Sequence, residues 1–170
     1  MRTKKYTSRA ALALAGLAAG VALVAGTTVA AGPADHTGEP ADWGPQLEAY
    51  CDDPTTAAAD GYNVIDDPHP DADGHYGGLL EGTNGPDLIL ANGGNDIVEA
   101  GLGNDIICGS FGNDTINGEG GNDAVFGGGH ENVLRGGTND DYLDGGGQID
   151  WCDGGNGDDA TGPGCNTVND

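Results

Sequence analysis

The chain has 170 residues, of which 34 are glycine and 28 are acidic against 5 Lys and Arg, for a net charge of −23. Glycine at one residue in five, with aromatics at 5%, excludes the densely packed core of an ordinary globular enzyme. So acidic a chain also excludes DNA and RNA as partners, because affinity for phosphate backbones needs positive charge. Glycine does not recur at every third position, which excludes collagen and leaves a disordered acidic polymer or a repeat protein with glycines at fixed turns.

In chain order, the positive charge comes first. Arg2, Lys4, Lys5 and Arg9 precede an uncharged apolar run, Ala10 to Gly26, and small residues follow at Ala30 and Ala31. This pattern describes a secretory signal peptide over residues 1–31. The run of about 17 residues is short for a span of ~20 and has no basic stop-transfer flank, so no retained membrane span is expected. Beyond Ala31 only Arg135 opposes all 28 acids, a balance of −27. Self-repulsion on that scale opposes a compact state, so a folded mature chain requires cations from outside.

Residues 32–81 hold six of the eight prolines and few aliphatics. They are expected to form a largely irregular extension, with a helical turn at Gln46 to Tyr50, a short strand over Tyr62 to Ile65, and Gly77 to Glu81 covering the first coil of the glycine-rich half. His69 and His75 flank Asp71 and Asp73, a set that can hold a metal, but a solvated loop is the preferred reading. His36 and His130 are not read as ligands. Trp43 and Trp151 are read as packing or surface residues.

From Gly82 to Gly162 a nine-residue frame runs without insertion through nine units. Position six reads Asp87, Asp96, Asp105, Asp114, Asp123, Asn132, Asp141, Asp150 and Asp159. Position eight reads Ile89, Val98, Ile107, Ile116, Val125, Leu134, Leu143, Cys152 and Thr161. Position one is glycine in seven units and position four in six, including Gly85, Gly94, Gly103, Gly112 and Gly121. The glycines permit tight turns, and the three residues after the acid suit a brief strand. Only position eight then faces inward, so a single aliphatic ladder is expected, a thin core for so many ordered residues. Stacking also brings the acids together. An all-oxygen set of Asp carboxylates and exposed carbonyls suits Ca2+ rather than zinc.

These units resemble the G-G-x-G-x-D-x-U-x repeat of secreted bacterial calcium-binding proteins of the RTX (haemolysin-type) family, over residues 82–162. The resemblance implies an all-β fold, a right-handed parallel β-roll in which two units make one coil. Calcium would lie between coils on each side, held by the position-six acids, the position-four glycines and the neighbouring Asn95, Asn104, Asn113 and Asn122. The ceiling is seven ions. His130 with Asn132, Asn139, and Gln148 with Ile149 depart from the pattern, which lowers the expectation to about four to six.

An even cysteine count in a secreted chain points to disulfides, with three pairings open. Cys152 to Cys165 is expected to pin the tail, residues 163–170, over the open end of the solenoid. Cys51 to Cys108 is then left by subtraction. No catalytic motif is present: Ser110 is the only serine after the signal, and it stands at a turn position. The function expected is therefore a secreted calcium-binding protein that folds on the ion. A calcium-stabilised surface or matrix adhesion module and a hydrolase of unrecognised type are the alternatives. An ice-binding array is excluded, because Thr83, Thr115, Thr138 and Thr161 fall at different positions of the repeat.

Overall fold

A computed structural model describes residues 50–52, 54–67 and 77–166. Tyr50, Cys51 and Asp52 are helical, and a short helix, α1, spans Pro54–Asp60. Strand β1 (Asn63–Asp66) forms where a strand was expected. The remaining strands are β2 (Leu79–Glu81), β3 (Asp87–Leu90), β4 (Ile97–Glu99), β5 (Ile106–Cys108), β6 (Thr115–Gly120), β7 (Ala124–Phe126), β8 (Val133–Thr138), β9 (Tyr142–Asp144), β10 (Trp151–Asn156) and β11 (Ala160–Thr161). The signal segment, most of the proposed turn before Cys51 and the His69 to His75 set lie outside the described residues. Among the described residues no helix is long and apolar enough to cross a membrane.

Each nine-residue unit contributes a strand from position seven, and the glycine-rich positions turn the chain. All the named strand pairs are parallel. Within the repeats, a residue faces the one eighteen places further on, as Leu88 faces Ile106 and Ile97 faces Thr115. Two units therefore complete one coil. Alternate units fall into two sheets, β1-β3-β5-β7-β9-β11 and β2-β4-β6-β8-β10. This is the expected parallel β-solenoid. Between the sheets, position eight forms a continuous ladder from Ile89 and Val98 to Leu143 and Cys152, all fully buried.

Two features depart from the sequence-based expectation. Gly77 to Glu81 is not a cover over the first coil. Leu79, Leu80 and Glu81 pair with Ile97, Val98 and Glu99 as a strand of the second sheet, and Leu80 extends the inner ladder.

The apolar core is also not a single ladder. A second cluster lies on the outer face of the first sheet, where Leu88, Leu90, Ile106, Cys108, Ala124 and Tyr142 are buried with Ala57 and Tyr62. The physical reason lies in alternate units: their position seven is apolar, as is position nine from Leu90 to Phe126, and α1 with the residues around it covers this face. Cys51 bonds to Cys108 across this face. Constraining a loop of 57 residues lowers the entropy of the unfolded chain by about 4 kcal/mol equivalent on the chain-entropy model.

The second sheet has a different outer face. Leu79 and Ile97 are 59% and 51% exposed. Position nine carries Glu81, Glu99, Asn117, Arg135 and Asp153 in register. Arg135 sits there with its guanidinium 5.2 Å from the Trp151 ring, so the one base of the repeats is engaged on the surface.

The tail closes the far end. Asp150 bridges Cys165, and Pro163 carbonyl accepts from the N–H groups of Gly145 and Gly146. Cys152 bonds to Cys165. Both expected disulfides are present.

Candidate metal centre

Position six stands at the turn just before the strand, or in β3 as its first residue, and the coil stacks these residues in two columns. Asp87, Asp105, Asp123, Asp141 and Asp159 belong to one column. Asp96, Asp114, Asn132 and Asp150 belong to the other. Asp87, Asp96, Asp105, Asp114, Asp123, Asn132, Asp141 and Asp150 are all at most 2% exposed.

The columns are built by one repeated contact. Beyond Asp87, each side chain accepts, through Oδ1, the backbone N–H of the position-six residue one coil earlier. Asp87 donates to Asp105 at 2.8 Å, Asp105 to Asp123 at 2.9 Å, Asp123 to Asp141 at 2.8 Å and Asp141 to Asp159 at 2.9 Å. In the second column Asp96 donates to Asp114 at 2.9 Å, Asp114 to Asn132 at 2.9 Å and Asn132 to Asp150 at 2.7 Å.

The second carboxylate oxygen is the informative one. Oδ2 of Asp105, Asp114, Asp123, Asp141 and Asp150 is buried and accepts no hydrogen bond. Buried acceptors are normally satisfied, and a buried charge without a partner is costly. Without metal the buried carboxyls keep their protons to higher pH than usual. Burial raises Asp105 to about 7, Asp114 to about 6, Asp123 to about 8 and Asp141 to about 7, from 3.8. The N–H bond from the preceding coil opposes the rise, and neighbouring carboxylates add to it.

The position-four glycines let the coils close. Gly112 and Gly121 have φ of +135° and +132°, and a Cβ on either would fall onto the carbonyl oxygen of Gly94 or Gly103 one coil earlier. Carbonyl groups are thus held close to the backbone of the next coil, near the acid columns: a Cβ on Gly103 would lie 2.8 Å from Asp105 Oδ1. Among the described residues no three His, Cys, Asp or Glu side chains converge on one point. A cation here draws its shell from carboxylates and backbone carbonyls together, which is oxygen chemistry of the kind Ca2+ accepts.

The family model of the RTX calcium-binding nonapeptide repeat, four copies long, matches residues 77–107, 103–129 and 126–160. Residues 77–160 form an RTX repeat domain. No curated protein and no solved structure matches the chain. RTX repeats bind calcium, and the orphaned Asp oxygens of this chain fit that ion. The protein is a calcium-binding repeat protein.

The RTX pattern weakens where the sequence indicated. Asn132 keeps its rung through Oδ1, but its amide turns a donor toward Gly129 carbonyl at 3.4 Å. An amide N–H group therefore stands where neighbouring units present an acceptor. His130 takes a φ of 70° at the position-four turn, and Asn139 a φ of 81°.

The position-five asparagines are placed differently from the Asp columns. Asn95 Oδ1 accepts from Asn113 N–H at 2.9 Å, and Asn104 Oδ1 from Asn122 N–H at 3.0 Å. Asn113 and Asn122 extend these ladders at 3.4 Å to Glu131 and Asp140. Their side-chain oxygens thus tie one coil to the next. Gly85 opens on free space: a Cβ there would meet nothing within 4 Å.

Three residues at the column ends were not singled out in the sequence. Asn63 donates to Asp87 Oδ1 at 2.6 Å, Thr83 donates to Asp87 Oδ2 through N–H at 2.6 Å and Oγ at 3.0 Å, and Gly78 N–H donates to Asp96 Oδ1 at 2.6 Å. For Gly78 the available signal is phase: it stands at position six of a unit preceding Gly82.

Proposed function

We propose that this is a secreted protein, without catalytic activity, whose repeat domain completes its folding as Ca2+ enters between the coils. The observation that carries the reading is the row of buried carboxylate oxygens that accept nothing from the protein. Asp96, Asp105, Asp114, Asp123, Asp141, Asp150 and Asp159 would supply carboxylates, and backbone carbonyls of the position-four turns would complete the shells. The count expected is about four to six ions, reduced around Asn132. Calcium bound there neutralises neighbouring carboxylates and removes the need for them to hold protons.

Secretion is supported by the basic, apolar and small-residue order of residues 1–31, which lie outside the described residues, and by the pairing of all four cysteines, which fits an oxidising compartment. Extracellular modules bind calcium at roughly 10⁻⁴–10⁻³ M.

The test is a calorimetric titration of the disulfide-intact chain. Calcium should bind at several sites, and magnesium at equal concentration should bind poorly because it gives up water reluctantly and demands a smaller shell. Asp123→Ala should lower the stoichiometry by at least one ion, whereas Asn132→Ala should leave it unchanged. Equal effects of the two substitutions would refute the assignment of the columns.

A further inference from the structure

A column in which every carboxylate accepts an N–H from the coil before it must begin somewhere. Its first member has no preceding repeat coil, only β1 beside it. Asp87 is that member of the first column, and it is fully buried. Its Oδ1 receives the side-chain amide of Asn63 at 2.6 Å in place of a backbone N–H. Its Oδ2 receives both the N–H and the hydroxyl of Thr83, at 2.6 Å and 3.0 Å. Asp87 therefore differs from Asp105, Asp123 and Asp141, each of which keeps an orphaned Oδ2. The three donors are neutral and point the positive ends of their dipoles at the carboxylate, so they stabilise its charge without an ion. They also take three of the carboxylate's roughly four acceptor positions.

We propose that Asp87, with Asn63 and Thr83, is a metal-free cap of its column rather than a calcium ligand, and that ion binding in this column begins at Asp105. The inference rests on the proposed calcium reading and deepens it. Three intervals remain in the column, Asp105 to Asp123, Asp123 to Asp141, and Asp141 to Asp159.

The cap has its own support. Asn63 is carried by β1, which pairs with β3 from Asn63↔Asp87 to Asp66↔Leu90. The arm that delivers β1 is held on the same sheet by Ala57, Tyr62 and the Cys51–Cys108 bond. The other column is closed at its far end in a comparable way. The N–H of Asp150 donates to the carbonyl of Gly164 at 3.1 Å, in a tail held by Cys152–Cys165. Each disulfide thus fixes a segment that terminates a column with neutral backbone or amide groups.

The experiment counts bound ions by native mass spectrometry on the disulfide-intact chain at saturating calcium. Asp87→Asn should keep the full count, and Asp105→Asn should lose at least one ion. Where Asp87→Asn alone does not fold, the exchange Asn63→Asp with Asp87→Asn keeps one donor facing one acceptor and leaves Thr83 a carbonyl oxygen to bond. That pair should also keep the full count. Loss of an ion from either Asp87 variant overturns the cap. An undiminished count in Asp105→Asn would instead sink the calcium assignment of the column itself, so the two failures are told apart.

Discussion

Gly112→Ala should cost the calcium-loaded protein about 3 kcal/mol or more, a loss read as a large drop in the urea midpoint. Gly112 has a φ of +135°, where an L side chain is strained, and its Cβ would land on the carbonyl oxygen of Gly94. Backbone cannot swing aside as a flexible side chain can, so the two coils must separate. Separation stretches the Asp96 to Asp114 rung, now 2.9 Å, and moves carbonyls away from the ion. The control is Gly147→Ala, whose nearest neighbour would be the Gly128 oxygen at 4.0 Å. That change should fall within about 0.5 kcal/mol of the parent, as ordinary surface substitutions do. Equal costs at the two positions would mean that the coils are not stacked eighteen residues apart as described.

Proton and calcium should compete for the columns, with opposite effects on the two forms of the protein. In the metal-free coil, burial raises Asp105 and Asp141 to about 7, Asp114 to about 6 and Asp123 to about 8, whereas the unfolded reference is 3.8. A raised carboxyl stabilises the fold while it holds its proton. That contribution is complete below about 3.8 and is lost as pH rises through about 6 to 8. The metal-free chain should therefore be more ordered at pH 5.5 than at pH 8.5. The loaded chain should behave in the reverse sense, because ligands must shed protons before binding. Apparent calcium affinity should fall by roughly tenfold in all, for each proton displaced from a group near 7, as pH drops from 8 to 6. Titrations at both pH values, in two buffers of different ionisation heat, measure the loss of affinity and the protons released. Affinity independent of pH over this range would show that these carboxyls are not the ligands.

Much of the fold was legible because the repeat writes one physical role at each position. Asp at position six, aliphatics at position eight and glycine at position four led directly to two acid columns, an inner ladder and tightly closed turns. Cys152 at an inward position also pointed to the tail. The second apolar cluster was hidden by averaging over nine residues. Read at eighteen, position nine separates into Leu90, Cys108 and Phe126 in alternate units, with Asp144 ending the apolar run, and Glu99, Asn117, Arg135 and Asp153 in the others. That difference decides which sheet is covered by the arm and which keeps a polar outer face. The column ends were harder. Asn63 reaches Asp87 across 24 residues, and nothing in the local sequence marks an asparagine as the substitute for a missing coil. Thr83 lies nearer, four residues away, but reads locally as one more turn residue.

The second cluster alters the balance of forces without removing the need for cations. It covers one outer face, yet the orphaned carboxylates lie in the turns between the sheets and strand ends, where no apolar group can satisfy them. Each site filled at a hundredfold excess over its dissociation constant adds about 2.7 kcal/mol to the folded state. Several such sites together are comparable to the whole stability of an ordinary domain, about 5–15 kcal/mol.

The most direct measurement is far-ultraviolet circular dichroism with thermal unfolding of the disulfide-intact chain at pH 8.5, first stripped by chelator and then reloaded. At that pH protons no longer stand in for metal on most of the column. The stripped chain should lose most of its β signal and its cooperative transition, and calcium, but not magnesium, should restore both. A stripped chain that keeps the same spectrum and melts at the same temperature as the loaded one would contradict the account.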